Sequence, residues 1–85
     1  MTIEEFLIKV KSLRENNTPI MLADFKTYVN LFNILYITDK EIAFTILDDL
    51  INLKVFTENK FDDKEYSDFL DRLYELKSKK RTTSS

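Results

Sequence analysis

The same helix-opening signal occurs three times in this chain. Thr2 stands three residues before Glu5, Thr38 three before Glu41, and Asp62 three before Glu65. At that spacing a cap side chain accepts from a free backbone N–H of the first turn, while the acid reaches back to the N–H of the cap. Each pair is bracketed by apolar residues: Met1 and Phe6, Ile37 and Ile42, Phe61 and Tyr66. These are the positions of a hydrophobic staple, which sets the angle at which the chain enters a helix. Thr18-Pro19 adds a fourth start, with proline at the first helical position where its missing N–H costs nothing. Signals that agree at this density predict an all-α fold. The expected architecture is a compact four-helix domain, with helices at roughly 2–15, 19–36, 38–54 and 62–79.

The apolar periodicity agrees. Ile3, Phe6, Leu7, Val10 and Leu13 form one stripe on the first helix. Asn16 and Asn17 follow, leaving an asparagine to take a left-handed turn in a chain with no glycine. The second helix carries Leu22, Phe25, Val29, Phe32 and Tyr36, and the fourth Tyr66, Phe69, Leu70, Leu73 and Leu76. The third is apolar over more than half its circumference, with a polar strip of Glu41, Thr45, Asp48, Asp49 and Asn52. A helix of that kind is buried from two sides, which places it at the centre. Between 54 and 60 the period breaks, and Val55-Phe56 is either a short extended piece or a plug in the core. One domain over residues 1–79 and a disordered polar tail over 80–85 complete the expected organisation.

Composition removes most chemistries. Of 85 residues none is Cys, His or Gly. The chain therefore has no thiolate, no imidazole base or metal ligand, and no glycine loop that cradles phosphate. No run approaches a membrane span, and the Met-Thr-Ile-Glu-Glu start lacks the basic, apolar pattern of a signal peptide. A cytoplasmic protein is expected. The abundance of Ile, Lys, Asn, Phe, Leu and Tyr points to an AT-rich genome, such as that of a low-GC bacterium or its phages and plasmids, and an accessory or inhibitory protein of a phage or mobile element fits it.

The best carboxylate group is Asp68, Asp71 and Glu75, on one face of the fourth helix. Oxygens so placed can hold Mg²⁺. With Lys64 and Lys79 four residues beyond either end they read better as a solvated, ion-paired face. The loop from Thr57 to Asp63 lacks the alternating oxygens and glycine of a calcium loop. The expectation is a protein that is not an enzyme and has no cofactor and no metal.

Binding is what remains. A helix-turn-helix made of the second and third helices is the nucleic-acid reading, but the exposed strip of the third helix is acidic and meets phosphate with the wrong sign. Residues 38–75 hold eleven acids and five bases. Such an acidic half is the kind of surface that imitates nucleic-acid phosphates, although helix surfaces are commonly rich in acids. Lys77, Lys79, Lys80 and Arg81 form the basic cluster, placed either to touch nucleic acid or to complement the helix dipole. The second helix carries an additional stripe off its core face: Ile20, Ala23, Thr27, Leu31 and Ile34. Either this helix packs on both sides within the monomer or the stripe meets another chain. The leading expectation is a small interaction protein acting on another macromolecule, with a protein partner and a homodimer through this stripe as its simplest form. A compact helix-turn-helix nucleic-acid binder is the alternative.

Overall fold

The computed structural model describes residues 2–83, with side chains through residue 79. Its elements run α1 (Ile3–Glu15), β1 (Ile20–Met21), α2 (Leu22–Thr38), α3 (Lys40–Ile51), β2 (Val55–Phe56) and α4 (Lys60–Thr83). The fold is all-α with four helices and one minimal strand pair.

The helix starts show which signals act. Thr2 caps α1 as expected, its hydroxyl accepting from the Glu5 N–H at 3.1 Å. Met1, and with it the first staple, lies outside the described residues. Asn17 takes the left-handed turn after α1 at φ 52°, a conformation asparagine tolerates better than most residues. At the other starts the cap moves. Thr18-Pro19 does not open a helix: Ile20 and Met21 stay extended, and α2 begins at Leu22. Thr38 ends α2, its hydroxyl donating to the Ile34 and Leu35 carbonyls, and Asp39 caps α3 by accepting from the Ile42 N–H. α4 starts two residues early, with the Asn59 side chain accepting from the Asp62 N–H at 2.9 Å. Ile37 and Phe61 are 83% and 86% exposed, so neither acts as a staple.

The question over Val55-Phe56 resolves as a strand. β2 pairs in parallel with β1, Ile20 opposite Val55 and Met21 opposite Phe56. The Ile20 N–H donates to the Lys54 carbonyl at 2.9 Å. This clip ties the start of α2 to the end of α3.

α3 packs against all three other helices, as its apolar arc predicts, and α2 does the same. α1 and α4 flank this central pair and do not meet among the described residues. Aromatic rings on α2 reach each neighbour: Tyr28 to Phe6 of α1, Tyr36 to Phe44 of α3, Phe25 to Tyr66 and Phe69 of α4. Phe25, Phe32, Leu47, Leu50, Leu73, Val10 and Val29 form the fully buried centre. α4 is about 36 Å long at 1.5 Å per residue, close to the 39 Å longest dimension. It continues past the expected end at residue 79; the side chains from 80 onward and Ser84-Ser85, where the polar tail was expected, lie outside the described residues.

Candidate docking surface

The stripe expected on the second helix divides. Ile20 is a correction: it sits in β1, buried in the core, because the chain is still extended there. Leu31 is half-buried and packs against the core. Ala23, Thr27 and Ile34 are exposed, Ile34 by 60%. The Thr27 hydroxyl turns back to donate to the Ala23 carbonyl, so its proton is satisfied within the helix.

Two exposed residues outside that stripe share this outer face, Asn30 and Ile37. Ala23, Thr27, Asn30, Ile34 and Ile37 follow one another at intervals of four, three, four and three residues. That is the spacing of a seam that meets another helix. It lies on the side of α2 facing away from Phe25, Val29 and Phe32. No charged residue occurs from Thr27 to Thr38. On the flank, Lys26 is neutralised by Glu65 of α4 at 2.5 Å.

At its C-terminal end the seam borders an apolar cleft of about 210 Å³ between α1 and α2. Phe6, Leu31 and Leu35 line it together with the rim residues Ile3 and Ile34. Ile3 is 53% exposed, although the sequence pattern assigns it to the core stripe. Ile3, Ile34 and Ile37 thus gather at one end of the molecule. Ile37 is missed from sequence because ending the second helix at 36 removes it from helical phase with Ile34.

The charged candidates are engaged elsewhere. Lys77 binds Asp48 of α3 at 2.9 Å, and Arg14 of α1 binds Asp49 at 3.4 Å. The acidic pair on α3 is therefore partnered by two other helices, which weakens both the phosphate-mimicking face and the basic cluster. Lys79 lies with Asp68, Asp71, Arg72 and Glu75 around a shallow depression on α4. The side chains of Lys80 and Arg81 lie outside the described residues. Among the described residues no three acidic groups converge to hold a metal ion.

The α2–α3 junction is a single residue, Asp39, where a helix-turn-helix has a turn of three or four. The exposed positions of α3 include Glu41, Thr45 and Asp48, with Asn52 just past its end. A phosphate backbone approaching them meets carboxylates. The titrating groups that depart from ordinary behaviour are structural. Burial, helped by the Asp24 carboxylate, raises the Tyr28 phenol, and burial, helped by Tyr74, raises that of Tyr66.

Among the described residues no helix is long and apolar enough to cross a membrane. Comparison of the chain with protein-family models, curated proteins and solved structures yields no match.

Proposed function

We propose that this chain is a small non-enzymatic cytoplasmic interaction protein that docks another macromolecule on the outer face of α2. The observation that carries this reading is the seam itself: five exposed, uncharged residues at helix-pairing intervals, ending on Ile34 and Ile37. Other large apolar side chains are exposed, among them Ile8, Phe56 and Phe61, but they do not follow one another at helix-pairing intervals along one helix face. An apolar strip kept in water on one face of such a molecule marks an interaction site. A protein partner fits better than nucleic acid, since affinity for phosphate comes from cations and the seam has none. The residue bias suits an accessory or inhibitory protein of a phage or mobile element, acting by occupying its partner.

A photo-crosslinking residue at Ile37, installed in cells of an AT-rich host, tests the reading. The expected result is a discrete crosslinked species that disappears when Ile34→Lys is added. A crosslink pattern indifferent to Ile34→Lys, or discrete crosslinks from Ile8 on α1 instead, overturns it. Electrophoretic shifts with duplex DNA at low and high salt test the helix-turn-helix alternative; salt-resistant, sequence-selective shifts would favour it.

A further inference from the structure

We propose that the occupant of the α2 seam is a second copy of this chain, the two α2 helices lying antiparallel about a two-fold axis that passes near Asn30. This rests on reading the outer face of α2 as a docking surface and adds what docks there.

A two-fold axis brings a surface onto itself, so any net charge on the surface repels its own copy. None of the five seam residues is charged; of the two charged residues within their span, Lys26 on the flank is already held by Glu65, and Asp24 lies beside Tyr28 on the other side. Shape is graded along the seam. Its N-terminal half, Ala23 and Thr27, is small; its C-terminal half, Ile34 and Ile37, is large and exposed. Antiparallel pairing sets each small half against the partner's large half, which lets the helices approach closely while the isoleucines fill the space. A parallel pair stacks the isoleucines at one end and leaves a gap at the other. Antiparallel helices also set their macrodipoles head to tail.

Asn30 stands at the midpoint, exposed and uncharged. Its amide is both donor and acceptor, so it can satisfy its own copy across the axis. An Asn at the middle of a helix seam is a device by which paired helices choose one register. The seam spans fifteen residues, about 22 Å at 1.5 Å per residue. Two helices paired over that length form only a small interface, so the dimer is weak and concentration-dependent.

Two measurements on the full chain test this. Sedimentation equilibrium from about 1 μM to about 500 μM should show a monomer–dimer equilibrium. Ile34→Lys combined with Ile37→Lys should raise its dissociation constant at least about tenfold, with a thermal melt that matches wild type at dilutions where both are monomers, since both side chains are exposed there. Because the chain has no cysteine, single cysteines report geometry directly. Under mild oxidation Asn30→Cys should give a disulfide-linked dimer, while Ala23→Cys and Ile37→Cys should not, because only the residue near an antiparallel axis meets itself. Wild type that stays monomeric over the whole range, with no crosslink at 30, overturns the proposal. In that case discrete crosslinks from Ile37 to a different macromolecule would preserve the docking reading while excluding the second copy. Efficient disulfides at both 23 and 37 also overturn it, in favour of a parallel pair.

Discussion

At the residue scale, neighbours on one helix have opposite roles, and substitution should separate them. Leu31 is half-buried against the core, whereas Ile34 one turn later stands mostly in solvent. Leu31→Lys forces an ammonium toward an apolar cleft floor and should lower the melting temperature; Ile34→Lys should leave it nearly unchanged. Thermal melts of the two variants, followed by circular dichroism, check the contrast. Leu50 is fully buried in the last turn of α3. Leu50→Ala removes a branched side chain from the packed core and leaves a cavity, and should cost ~2–5 kcal/mol in urea unfolding.

Caps and ion pairs act at the scale of the element. At the α2–α3 corner the Asp39 carboxylate, not the Thr38 hydroxyl, satisfies the first turn of α3. Asp39→Ala should therefore destabilise the protein by about 1 kcal/mol. Thr38→Ala should cost less, because its hydroxyl only adds a second bond to carbonyls within α2. Chemical denaturation of both variants decides which residue is the cap. The Lys77–Asp48 pair joins α4 to α3 on the surface, with both side chains substantially exposed. A double-mutant cycle should give less than about 1 kcal/mol of coupling, fading as salt is raised.

For the whole molecule the relevant variable is alkaline pH. Tyr28 and Tyr66 have phenols raised above the ordinary value of 10.0, mainly by burial. The unfolded chain releases these protons first as pH climbs, so the folded state then holds more protons than the unfolded one. The stability these neutral phenols lend is complete below the unfolded value near 10 and is lost as pH rises through the higher folded values. Unfolding at pH 11 should thus need less urea than at pH 8, and Tyr28→Phe should reduce that difference. Phenolate absorbance during an alkaline titration gives an independent reading of the same delay.

The four helices and their buried faces were legible in the linear order of residues, because period and capping are local properties. Phe25, Phe32, Leu47 and Leu50 announce their burial by spacing alone, and Asn17 was the available residue for a left-handed turn. The polar strip of α3 was equally plain. What tertiary structure decided was where the chain has partners that periodicity does not encode. Thr18-Pro19 reads as a helix start, yet Ile20 and Met21 remain extended because Lys54 and β2, more than thirty residues away, supply their backbone pairing. That distant contact moves Ile20 from the expected interface into the core. Thr38 yields its capping position to Asp39, and Asp62 yields its own to Asn59 three residues earlier, which lengthens α2 at its end and α4 at its start. The longer α2 brings Ile37 into phase with Ile34, and the packing of α1 against α2 leaves Ile3 beside them at the cleft rim. Local sequence determines which residues favour a helix and which face is apolar. Only the assembled molecule decides which apolar residues are left over once every internal surface is filled.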